Sequence, residues 1–302
     1  MLKKLLYNFY INYTYKKIIS KEIKTLFKQI DYSNTWGKDS VILKKVGIIQ
    51  LDGISDQNDS LNLLNNICDY KLKNFNFKNR PIVSFSYIHS NDSLTKNILS
   101  NYKINSIIKN YLGEHARLDT ISLSVTKDNT EDTIISEKWH YDNVGRRLKL
   151  FYYLNDNENI CTDYVLKTNN LFHKYYSTEG SRRSSGFIKK YKDNIKSFFP
   201  QKNKILIFDT NGFHRGNYKE NKQKIFRENK NQISYRKMLK FEFSNSIKSD
   251  LFFGKSNTIG VRGTFFSKNF DFVSCPLIDQ KYICDIDNFY YYDKTYKVLY
   301  NS

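Results

Sequence analysis

Residues 204–218, KILIFDTNGFHRGNY, run an apolar segment into a turn and then directly into a histidine. The first part is short, rich in Ile, Leu and Phe, and bounded by polar residues, which predicts a buried strand over 204–209. Asn211-Gly212 is a tight-turn dipeptide. His214 therefore emerges at the end of a strand, where a sheet meets its rim.

Similar short strands are predicted upstream and downstream: LDTISLSVT (118–126), EKWHYD (137–142), LKLFYYL (148–154), TDYVLK (162–167) and RKMLKFEF (236–243). Polar, Asn-, Gly- and Lys-rich connections separate them. Before residue 118 the pattern differs. VILKKVGIIQLDGI (41–54) reads as a strand into a turn, while 59–72 and 93–113 read as helices, the second stopped by Gly113. Helices first and strands afterwards predict an α+β chain with a β-sandwich or barrel flanked by N-terminal helices. Three parts are expected: a basic helical segment over 1–35, the main domain over 36–245, and a tyrosine-rich extension over 246–302 packed on that domain.

At 302 residues, with 40% hydrophobic and 16% aromatic content, the chain has enough apolar material for a substantial core. No run approaches the length of a membrane span. The net charge of +19 points to anionic partners. Much of it accompanies an abundance of Lys, Asn, Ile, Tyr and Phe, each with a codon of A and T alone, so an AT-rich genome accounts for part of the lysine excess. No basic stripe interleaved with stacking aromatics marks a nucleic-acid module, and nucleic acid is not expected as a partner. A small anionic molecule is. Residues 1–27 are basic with apolar residues at helical spacing, which fits a helix packed on the domain or one lying on an anionic membrane. Cys68, Cys161, Cys275 and Cys284 show no zinc spacing and read as reduced thiols of a cytoplasmic protein.

The chemistry-bearing residues start at WHYD (139–142). His-x-Asp alone is a weak signal in a chain with 5 histidines and 30 acidic residues. On a strand, however, His140 and Asp142 face one way and Trp139 and Tyr141 the other. His214 supplies a third ligand from the end of its own strand. Two imidazoles and one carboxylate on one face of an octahedron form the site that holds non-haem Fe(II) with open positions. In RKMLKFEF, Arg236 and Met238 share the face opposite Leu239, Phe241 and Phe243. An arginine turned into a barrel beside a metal needs an anion, and its fork matches a carboxylate.

Taken together, VGIIQLDGI, WHYD, KNKILIFDTNGFHRGNY and YRKMLKFEF resemble the phytanoyl-CoA dioxygenase-like family of Fe(II)/2-oxoglutarate oxygenases over roughly residues 40–245. The resemblance implies a double-stranded β-helix, the jelly-roll or cupin-like fold. His140, Asp142 and His214 match the iron ligands. Arg236 matches the arginine for the distal carboxylate of 2-oxoglutarate, although it lies further beyond the second histidine than is usual. Arg227, inside the insertion KENKQKIFRENKNQ, is the rival and lacks the apolar strand that follows Arg236. The co-substrates implied are 2-oxoglutarate and O2, the co-products succinate and CO2, and the expected reaction hydroxylation of a small, anionic molecule. Asp142 is present where halogenating relatives carry a small residue. Arg182 and Arg183, in the loop between the triad halves, are candidates for the substrate anion, and His173 reads as a surface histidine. The competing readings are an inactive jelly-roll binding module and a basic protein on membrane or nucleic acid.

Overall fold

In the computed structural model the residues described are 35–55, 57–74, 82–86, 93–113, 116–127, 138–142, 147–169, 182–217 and 235–245, with short pieces at 266–267 and 283–284. The basic segment 1–27, His173, the insertion with Arg227 and most of the C-terminal extension lie outside them.

In chain order the elements are α1 (Thr35–Val46), β1 (Ile48–Asp52), α2 (Asn58–Asn74), β2 (Ile82–Ser86), α3 (Ser93–Ser100), α4 (Tyr102–Leu112), β3 (Ala116–Lys127), β4 (Arg147–Tyr153) and β5 (Cys161–Val165). There follow a short turn of helix α5 (Ser185–Ile188) continued by a 3-10 turn (Lys189–Asn194), then β6 (Ile195–Phe198), β7 (Lys204–Asp209), β8 (His214–Asn217), β9 (Tyr235–Asn245) and the two-residue strands β10 (Phe266–Ser267) and β11 (Ile283–Cys284). An antiparallel sheet of order β1-β7-β4-β9-β3-β2 and a smaller antiparallel sheet of order β6-β5-β8 make up the body of the α+β fold.

Strand alternation sorts the large sheet into two faces. Leu150, Tyr152, Ile205, Ile207, Leu239, Phe241 and Phe243 pack on one side with Leu43, Leu64, Ile98, Ile107 and Ile108 of the helices. Phe151, Tyr153, Leu206, Phe208 and Met238 pack on the other with Tyr164 and Phe198 of the small sheet. Strand β7, inside the sheet between β1 and β4, is thus covered on both faces, which is why its sequence is almost unbroken apolar residues. Between the sheets lies the layer that receives Arg236 and the histidines. Among the described residues, no helix is long and apolar enough to cross a membrane.

Three local expectations change. Residues 41–46 finish α1 instead of starting a strand; β-branched Val41 and Ile42 obscure the helical signal. Gly47 (φ 89°) then ends the helix, its N–H donating to the Leu43 carbonyl at 2.8 Å, and the strand begins one residue later. The helix over 93–113 is two helices, because Asn101 caps the second through its side chain to the Ile104 N–H at 3.0 Å. Gly113 stops it as expected. EKWHYD forms only bridges at His140 among its described residues. The short strands β2, β6 and β8 had no alternation long enough to declare them.

Cys68 and Cys161 are free and buried, and burial pushes each thiol up to about 12. Native protein treated with iodoacetamide at mildly alkaline pH should leave both unmodified in a peptide map, whereas unfolding in urea should expose them. Rapid native alkylation of either would contradict the packing.

Candidate metal centre

The turn between β7 and β8 is fixed by a buried carboxylate. Oδ1 of Asp209 accepts hydrogen bonds from the backbone N–H of Asn211 (2.8 Å) and from its Nδ2 (3.0 Å). Its Oδ2 accepts from the Tyr111 hydroxyl on α4. The Tyr164 hydroxyl donates to the Asp209 carbonyl at 2.9 Å, and Phe213 N–H donates to Thr168 Oγ1 at 3.0 Å. Tyr164 fills the space where a Cβ at residue 212 would stand, so only glycine fits there. The Asn-Gly signal marked the turn; nothing local marked the tyrosines that brace it.

His214 opens β8 opposite His140. Their backbones exchange both hydrogen bonds, His140 N–H to His214 O at 3.0 Å and His214 N–H to His140 O at 2.8 Å. Opposed residues of an antiparallel pair share a face, and the two imidazole centroids lie 4.3 Å apart. Two residues on, Asp142 N–H donates to the Thr210 carbonyl at 2.7 Å, and its Oδ1 lies 3.9 Å from His140 Nε2. One ligand atom from each of His140, Asp142 and His214 falls within 4.8 Å of the others.

The donor chemistry suits a divalent metal. Nδ1 of His140 lies 2.7 Å from the Lys138 carbonyl and Nδ1 of His214 lies 2.9 Å from the Gly212 carbonyl. A carbonyl can only accept, so each Nδ1 carries the proton and each Nε2 keeps a lone pair for the cluster. Burial lowers the pKa of His140, and burial with the neighbouring His140 lowers that of His214 to about 3. Burial alone would raise the Asp142 carboxyl, but surrounding positive charge, Lys149 foremost, holds it well below the usual carboxylate range. At neutral pH the cluster therefore offers two neutral imidazoles and one carboxylate, the protonation states a metal requires.

Behind the cluster, Trp139 and Tyr141 point away from it, as alternation predicts, and pack with Val165, Ile188 and Phe213. Arg215 lies over the Trp139 ring at 4.7 Å and pairs with buried Asp163 at 2.8 Å. This clamp joins the residue after His214 to the residue before His140. Neither Arg215 nor Asp163 carried a sequence signal.

Arg236 is buried in the layer between the sheets, within 3.4 Å of Thr126 Oγ1 on β3 and 3.5 Å of Thr162 Oγ1 on β5. Thr162 pairs with Gly216, two residues along β8 from His214, a strand distance of about 7 Å. Arg182 bridges His140 on its other side, so its side chain shares the cluster's face, and its charge acts on His140. Arg183 turns away: Nη2 donates to the Tyr141 hydroxyl at 3.3 Å, and the guanidinium lies over the Tyr141 ring at 5.2 Å. The two arginines therefore occupy different environments.

No family model matches this sequence, and no curated protein matches it. Solved structures do. The epimerase SnoN in complex with Fe3+, alpha ketoglutarate and nogalamycin RO is 10% identical with a TM-score of 0.50, over 70% of this chain and 83% of that one. SnoN described as a non-heme alpha ketoglutarate dependent epimerase from nogalamycin biosynthesis is 11% identical with a TM-score of 0.51, over the same shares. HygX from Streptomyces hygroscopicus with nickel and 2-oxoglutarate bound is 10% identical with a TM-score of 0.46, over 69% of this chain and 86% of that one. What the SnoN likeness shows is a shared fold.

His140→Ala should lose stoichiometric Fe(II) while keeping its far-ultraviolet circular dichroism; full retention of the metal would refute the cluster as its site. Gly212→Ala drives a Cβ into the Tyr164 ring and should destabilise the chain by about 1–3 kcal/mol. Tyr164→Ala removes a buried ring and is itself destabilising, but in that background Gly212→Ala should cost much less than it does in wild type; an equal cost in both backgrounds would deny the steric cause.

Proposed function

We propose that this chain is a non-haem Fe(II)/2-oxoglutarate-dependent oxygenase acting on a small anionic molecule. The observation that carries the reading is the His140–Asp142–His214 cluster, with both Nδ1 atoms tied to backbone carbonyls and a buried arginine further along the same layer. The two facing antiparallel sheets are read as a double-stranded β-helix, and the motifs from WHYD to YRKMLKFEF resemble those of the phytanoyl-CoA dioxygenase-like family.

His140, Asp142 and His214 would hold the metal on one face and leave the rest of its coordination sphere open. Iron with 2-oxoglutarate and O2 supplies an oxidation in which R–H becomes R–OH while 2-oxoglutarate becomes succinate and CO2. The protein's own share is placement and exclusion of water. Arg236, flanked by the Thr126 and Thr162 hydroxyls, would grip the distal carboxylate in a forked pair. The strand distance of about 7 Å from Thr162 to the level of His214 suits a five-carbon dicarboxylate spanning both ends. Phe208, with its ring 5.2 Å from His214, and Tyr164 keep that layer apolar around the charges. Arg182, on the metal face beside His140, would meet an anionic group of the substrate; Arg183, spent on Tyr141, would not. Asp142 fills the third ligand position, so no place is vacated for a halide, and hydroxylation or a related oxidation such as desaturation follows.

Arg236→Ala is expected to raise the 2-oxoglutarate concentration needed for succinate formation at least tenfold, in line with the loss of a charged, forked hydrogen-bond pair. Arg227→Ala should change it far less. The reverse ranking would move the co-substrate site into the insertion.

A further inference from the structure

Lys149 is an interior lysine whose position no metal-ligand motif explains. Alternation along β4 turns it to the same face as Phe151 and Tyr153, and its cross-strand neighbours are Phe208 on β7 and Glu242 on β9. Glu242 is already held, since Arg147 Nη2 donates to its Oε2 and Lys240 Nζ lies 3.3 Å from its Oε1. Lys149 reaches instead to Asp142, with Nζ 2.7 Å from Oδ2. The approach lies outside hydrogen-bond alignment, so the contact is an ion pair first. Both side chains are largely withdrawn from water, at 17% and 19% exposure, so solvent screens the pair weakly.

The two oxygens of Asp142 thus have different neighbours. Oδ1 faces His140 Nε2 at 3.9 Å, and Oδ2 faces the ammonium. That division matters chemically. A carboxylate can bind a metal through one oxygen or two. Used with two imidazoles, the two-oxygen mode would occupy four of six octahedral positions. Too few would remain for a co-substrate that binds through two atoms together with O2.

We propose that Lys149 is a positioning residue, whose ammonium retains Asp142 Oδ2 so that the carboxylate meets a bound metal through Oδ1 alone. The proposal rests on reading His140, Asp142 and His214 as a metal site. It runs against the simplest electrostatic expectation, that a lysine beside a divalent cation only weakens its binding. The ammonium repels the metal, yet it keeps open the positions that other ligands need.

Co(II) serves as a spectroscopic probe, added without O2 to wild-type protein and to Lys149→Met and Lys149→Arg, followed by 2-oxoglutarate. In Lys149→Met, Co(II) should bind as tightly as in wild type or more tightly, because repulsion is gone. Its ligand-field absorption should differ from wild type before any 2-oxoglutarate is present, reporting the altered carboxylate. Affinity of the Co(II) form for 2-oxoglutarate should fall about tenfold or more, the scale on which residues orienting metal ligands act. Lys149→Arg should restore both the spectrum and most of that affinity. An unchanged Co(II) spectrum in Lys149→Met overturns the proposal, as does loss of Co(II) equal to that of Asp142→Ala, which would make Lys149 part of the scaffold. Failure of wild-type protein to bind Co(II) instead sinks the metal-site reading, and the proposal with it.

Discussion

The site depends on the pair of backbone hydrogen bonds exchanged by His140 and His214. Among the described residues of its segment His140 carries the bridges, to His214 on one side and Arg182 on the other, and these decide where the imidazole stands. A one-residue slip would turn His140 and Asp142 to the outer side and bring Trp139 and Tyr141 inward. The outer face guards against the slip. Trp139 is held there under Arg215, and Arg215 is itself held by the buried carboxylate of Asp163. Two aromatic side chains packed outside thus fix two polar ones inside.

The inner layer between the sheets is costly to build. Asp142, Lys149, Arg147, Glu242, Lys240 and Arg236 all bring charge to it or to its rim, and partly buried ion pairs recover their desolvation only when geometry is good. Replacing such groups with apolar residues would often cost nothing in stability. Their concentration around the two histidines is what the proposed metal and co-substrate site calls for. The surrounding aromatic residues, Phe208, Tyr153 and Tyr164, supply the packing that the charged groups do not.

Much of this was legible in the sequence because it follows local periodicity. The alternation in YRKMLKFEF separated Arg236 and Met238 from Leu239, Phe241 and Phe243, and the cores divide along that line. WHYD likewise separated His140 and Asp142 from the packing residues Trp139 and Tyr141. What was not legible depends on partners distant in the chain. Asp209 looked like the end of a strand, yet its bonds to Tyr111 and Asn211 brace the turn before His214. Lys149 looked like one polar residue in an apolar strand, and Thr126 and Thr162 looked like ordinary strand residues. Their proximity to Asp142 and Arg236 arises from pairing between strands, for which a single sequence carries no marker. Arg182 and Arg183 were indistinguishable as neighbours in a loop; the bridge from Arg182 to His140 and the contacts of Arg183 with Tyr141 separate them.

The most direct test of the central claim is visible absorption under anaerobic conditions as Fe(II) and then 2-oxoglutarate are added to the purified protein. An iron site that takes 2-oxoglutarate gives a metal-to-ligand charge-transfer band that appears only after 2-oxoglutarate joins the Fe(II) form and saturates at one equivalent per chain. Failure to bind Fe(II), or Fe(II) binding with no new band on saturation with 2-oxoglutarate, would contradict the claim.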